Sequence, residues 1–296
     1  MNRLGVLDPE SLPYFKVLEA ISTEDILLER MKRLKEVWNE HDPPIGAAYD
    51  VEKLEFDPIK INQQASTYFE LMLRDRVNQA ARAVTLAYAT EGDLDAIASR
   101  YPGGVPRLPD EDDEHYRRRI WLSPATLTPH GVEEAYVFWA LTADSSLKDA
   151  TATTTEGTGQ VYITILPSGN NPRPTTEQLL GVRAYIHDHA RKGLTDIVSV
   201  LSPRIVFTRY VVDVWIYPGP DAGLIMRTLT ENLQKLVDDQ YWLGFDHTRM
   251  AIATVCGNVT GVQNVHIIEP ARSLDVDLRA VVKVREIVLN LKGRKE

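Results

Sequence analysis

Apolar residues recur every third or fourth position through the first half of the chain. Over much of the rest they recur every second position, and the change falls near residue 147. "STEDILLERMKRLKEVWNEHDPP" opens on Ser22 or Thr23 as an N-cap, with Glu24 and Asp25 in the first turn, where the helix dipole favours anions. Ile26, Leu27, Met31, Leu34, Val37 and Trp38 follow at helical spacing until Pro43 and Pro44, which predicts a helix over 22–40. A second stripe starts after Pro58 and runs through Ile61, Ala65, Tyr68, Phe69, Met72, Leu73, Val77, Ala80, Ala81, Val84 and Tyr88. It predicts one helix over 57–90, on the order of 45 Å long. Glu70 and Arg74, four apart, support its surface. Gly92 is expected to take the left-handed C-terminal conformation, with Asp93 capping a short helix in "LDAIASR".

The last third of the stripe is built largely of small side chains, which let another helix approach closely, and the Gly-Asp joint sets the angle between two helices. That is scaffold geometry. "YPGGVPRLPD" reads as a hinge, after which Asp112 or Asp113 caps "EHYRRRIWL" and Thr128-Pro129 begins "HGVEEAYVFWALTA". "DATATTTEGTG" reads as a strand and turn, and "QVYITILP" alternates as a half-buried strand does. A capped helix ending at Gly193 and the strand "TDIVSVLSP" complete a strand-strand-helix-strand unit. Strand "IVFTRYVVDVWIYPG", helix "DAGLIMRTLTENLQKLVDDQYWLG", short helix "TRMAIATVCGN" and strands "VQNVHIIEP" and "LRAVVKVREIVLNLKG" form another. The fold class is therefore α+β: a helical N-terminal half followed by two small tandem α+β units. The expected parts are an N-terminal arm at 1–21, a helical region at 22–103, a helical connector at 104–145, and α+β units at 146–203 and 204–296.

A chain of 296 residues exceeds one ordinary core, which agrees with several parts. Its formal charge of -9 argues against a nucleic-acid surface, since such affinity rests on Lys and Arg neutralising phosphates. No run of about 18 apolar residues is present, so no membrane span is predicted. "MNRLGVLDPESLPYF" lacks an apolar signal core, and a single cysteine, Cys256, leaves no internal disulfide, in keeping with a reducing compartment.

Candidate chemistry is thin. His187 and His189, two apart on one helix, point to different sides and cannot share an ion, and the other histidines stand in unrelated contexts. "FDHT" around His247 reads as a helix N-cap. The acidic run "DEDDEHY" at 110–116 lacks the spacing and the Gly of a calcium loop and reads as a helix start. Arg117, Arg118 and Arg119 fan around a helix and fit salt bridges to the acids upstream or to another subunit. Cys256, on an apolar helix, reads as a buried, inert thiol. No nucleophile elbow or Gly-rich phosphate loop occurs. No catalytic, metal or cofactor site is predicted.

"RDRVNQAARAVTLAYATEGDLDAIASRYPG" resembles the most recognisable segment of the baseplate assembly protein J family of contractile-tailed bacteriophages. "EDDEHYRRRIWLSPATLTPHGVEEAYVFWALTADSSLKDA", "DVWIYPGPD" and "GVQNVHIIEP" resemble later family segments, in the same order. The loop "PSGNNPRPTT" departs from a stretch that is often Gly-rich in the family. The resemblance implies a structural, non-enzymatic role in the baseplate wedge, in a ring around the central hub. Implied partners are a sheath-initiator-like wedge protein, a tail-fibre-side wedge protein and copies of this chain. It implies the same architecture for a phage-tail-like bacteriocin or a type VI-like injection system, which the sequence does not separate from a phage. On this view Val77, Ala80, Ala81, Val84, Ala87 and Tyr88 are the expected inter-subunit packing residues.

Overall fold

The computed structural model describes residues 19–41, 56–101, 103–128, 131–155, 157–188, 191–219 and 221–294. Residues 1–18 of the expected arm, and the Pro43-Pro44 stop, lie outside them. The chain forms two compact units, Met1–Gly104 and Val105–Glu296.

In the first unit, α1 (Thr23–His41) is capped as expected: the Ser22 hydroxyl accepts from the Asp25 N–H at 3.2 Å. Helix α2 (Pro58–Ala83) starts at Asp57, whose Oδ1 accepts from the Ile59 and Lys60 N–H groups, with Pro58 in the first turn. It ends at Ala83, not near residue 90 as the stripe predicts. The Thr85 hydroxyl bonds back to the Ala81 carbonyl, and Tyr88 and Ala89 donate to the Thr85 carbonyl, so the backbone turns here and buries Ala87 and Ala89. The joint to α3 (Glu91–Ala98) also differs from expectation. Glu91, at φ 45°, takes the left-handed conformation, while Gly92 and Asp93 lie inside the helix.

The second unit opens with α4 (Asp113–Leu122), a 3-10 turn (Ser123–Leu127) and α5 (Glu133–Ala143). Asp112 caps α4, accepting from the His115 N–H at 2.7 Å. The arginine cluster turns inward. Arg119 donates to both oxygens of Glu111, which also faces His115 Nδ1 at 2.6 Å; this is the predicted bridge to an upstream acid. Arg118 instead reaches downstream to Asp149 Oδ1 at 2.5 Å, and Asp149 also accepts the Ala150 and Leu243 N–H groups.

Two three-stranded mixed sheets follow. In the first, β2 (Gln160–Pro167) lies between antiparallel β1 (Leu147–Thr155) and parallel β3 (Ile197–Leu201), with α6 (Thr176–Ile186) as the crossover. In the second, β4 (Arg204–Ile216) is central, antiparallel to β5 (Val262–Glu269) and parallel to β6 (Ala280–Arg294). Between them in sequence come α7 (Ala222–Asp239) and α8 (Arg249–Gly257), the latter capped by Thr248 as "FDHT" predicts. Alternation on β4 buries Tyr210, Val212, Val214 and Ile216 against Ile225, Leu229, Leu233 and Val237, which recur every fourth residue on α7. Leu166 of β2 packs with Tyr241, Leu243 and Val281, tying the two sheets together.

His247 is part of this core, beyond its place beside a cap. Its Nδ1 lies 2.5 Å from the Tyr210 hydroxyl and its Nε2 lies 3.4 Å from the Gln240 carbonyl, so a neutral ring protonated on Nε2 satisfies both. Burial pushes its pKa down from 6.5 to about 4. A base depressed by folding stabilises only while neutral. The contribution is therefore complete above the unfolded value and lost as pH falls through the folded one. The loss expected is about 3 kcal/mol. Urea titrations near neutrality and at about pH 4 check it: the wild type should lose more stability than His247→Gln does.

Candidate functional site: an outward apolar face

Helix α2 carries two rows of opposite character. Gln63, Thr67, Glu70, Arg74 and Asn78, three or four apart, share the side turned towards α1. Arg30 of α1 donates to Gln63 at 3.1 Å and to Glu70 at 2.8 Å. Arg74 bridges Glu70 and Glu19, and the Asn78 amide exchanges two hydrogen bonds with the Glu19 backbone. These bonds, Arg30's first and then Arg74's, hold the Glu70 carboxyl below the usual range.

The apolar row faces away. Ile61, Tyr68, Phe69, Met72, Leu73 and Val77 are between 52% and 69% exposed. An ordinary surface helix buries its apolar stripe and shows its charges to water. Here, among the described residues, the polar row makes the contacts with α1 and the apolar row is left open. Covering it is worth about 1–2 kcal/mol per large side chain.

Of the residues singled out in the sequence, Val77 and Ala80 lie on the exposed row, and Val84, 61% exposed, sits at its end. Ala81 is half-buried on the flank. Ala87 is buried and Tyr88 is half-buried, both past the end of the helix, so the structure does not bring these two onto the face. The larger Phe69, Met72 and Leu73 belong to the same stripe and dominate the exposed area. Periodicity found them; nothing in it showed that they point outward.

Side chains that first suggested chemistry have structural places. His187 Nδ1 meets the Arg183 carbonyl at 2.9 Å at the end of α6, and His189 lies outside the described residues. Cys256 is buried in the second core and burial pushes its thiol up to about 11, leaving it protonated. Among the described residues no group of three or more His, Cys, Asp or Glu is placed to hold a metal, and no helix is long and apolar enough to cross a membrane.

Among the described residues the site is thus an open apolar helix face opposite a seam of polar and charged contacts. The Baseplate J-like N-terminal domain matches residues 55–109, and the Baseplate J-like central domain matches residues 129–202. The chain is 30% identical over 280 residues to Baseplate protein J of Escherichia phage P2, covering 90% of this chain and 91% of that protein. The chain belongs to the baseplate J family, and with it to the structural proteins of phage baseplates.

Proposed function

We propose that this protein is a wedge component of the baseplate of a contractile phage tail, forming part of the ring around the hub. The observation that carries this reading is the outward apolar row of α2, which among the described residues is flanked by α1 on its polar side alone. Equivalent helices of neighbouring wedge chains cover that row and form an inter-subunit bundle, with Val77, Ala80 and Val84 at its closely packed end. The regions 146–203 and 204–296 supply contacts between adjacent wedges. A sheath-initiator-like protein lies inward and a tail-fibre-side wedge protein outward. The chain has no catalytic role, and it passes through the host cytoplasm before entering the virion.

Light scattering on the tagged chain, co-expressed with the products of its flanking genes, tests this. The expected result is a stoichiometric complex heavier than the chain alone. A monomer that ignores every neighbour would overturn the reading. Capsid and terminase genes nearby are expected for a phage, and their absence would favour a bacteriocin or injection system.

A further inference from the structure

Strand β6 ends its sheet. Its inner edge is paired to β4 from Ala280 to Arg294, and among the described residues its outer edge makes no backbone bond to another backbone group past Ala280. Beside that edge runs an open groove of about 1060 Å³, walled by α7 and the 169–172 loop. Helix on one side and unpaired strand on the other is the geometry in which an extended peptide adds to a sheet.

The groove also has a chemical pattern. Lys283 and Arg285, two apart on β6 with the second at a register shift between Val284 and Ile287, both line the groove. Lys283 Nζ is 4.9 Å from the Tyr241 ring centre, and the Arg285 guanidinium is 3.9 Å from that of Phe207. Neither cation is in an ion pair among the described residues. Lys148 also lines the groove, but it is accounted for, donating to the Asp238 carbonyl near the C-terminal end of α7. Two acids line the groove as well. Asp238 accepts from Gln234 at 3.0 Å, and Glu286 is attracted to Arg209.

A lysine on an edge strand often serves only to discourage aggregation. Such a charge needs open water around it. It does not need a groove floored by aromatic rings, with a second cation two residues on. Residues two apart on an added strand would stand opposite Lys283 and Arg285, where cross-strand pairs of opposite charge stabilise a sheet.

We propose that the free edge of β6 takes an extended acidic segment of a neighbouring protein chain as a fourth strand. Carboxylates two residues apart on that segment meet Lys283 and Arg285. The proposal deepens the wedge reading and rests on it. Hydrogen exchange of the free chain, compared with the chain in purified particles, tests it together with the double variant K283E/R285E. The outward-pointing β6 amides, those not bonded to β4, are expected to exchange slowly only in particles, and the folded double variant to enter particles about tenfold less, or worse. If the chain is present in wild-type particles but its β6 amides exchange as in the free chain, the proposal is overturned. Protection that persists, with normal incorporation of the double variant, would overturn the acidic partner. Absence of the chain from particles would instead sink the wedge reading itself.

Discussion

Leu73→Asp is expected to stop particle assembly while leaving the isolated chain folded. Leu73 is 69% exposed at the centre of the outward row, so the change costs the free chain almost nothing, within about 0.5 kcal/mol. In the assembled bundle the same carboxylate would be stripped of water with no partner. That penalty of several kcal/mol lowers association by about a hundredfold or more. Counting infectious particles, with a thermal melt of the purified variant as control, checks both halves. Arg82→Gln, exposed on the same helix with no residue of the row three or four positions away, should leave yield unchanged. Normal yield from Leu73→Asp would mean that the apolar row stays bare in the particle.

Asp149→Ala should produce the largest loss of stability in the second unit. The carboxylate is 3% exposed and is shared between Arg118 and the Ala150 and Leu243 N–H groups. Removing it strands a guanidinium that is itself only 6% exposed. Breaking a buried pair from one side costs about 3–5 kcal/mol, which lowers the melting temperature by about 10 °C for a unit of this size. Calorimetry would read it directly. The double change Arg118→Met with Asp149→Leu should recover only part of the loss: the two apolar side chains need no partner, but the Ala150 and Leu243 N–H groups still lose the carboxylate they bond. A single-variant loss below about 1 kcal/mol would mean that water reaches the stranded arginine.

What the sequence made legible is what neighbours along the chain decide. Asp112, Thr248 and Ser22 cap helices because each sits two or three residues before the N–H it satisfies. The alternation of β4 and the fourfold spacing on α7 announce faces that the core confirms. Distant pairings were not legible. Nothing near Arg118 points to Asp149, and nothing in β6 points to the groove beside it. The stripe of α2 is the sharper lesson. Periodicity gives the direction of a row around a helix, but not what lies opposite, and the polar row from Gln63 to Asn78 repeats just as regularly. The overrun past Ala83 has the same root, since the apolar positions continue although Thr85 turns the backbone.

The two rows of α2 also divide its response to ionic strength. The seam to α1 is made of partly exposed ion pairs, about 30% exposed at Arg30 and Glu70, and dissolved salt screens such pairs. The opposite row is apolar, and salting-out anions such as sulfate strengthen its burial. Raising the concentration of such a salt therefore weakens the seam to α1 while it favours burial of the opposite row. The same helix thus answers one change of solvent in opposite senses on its two sides.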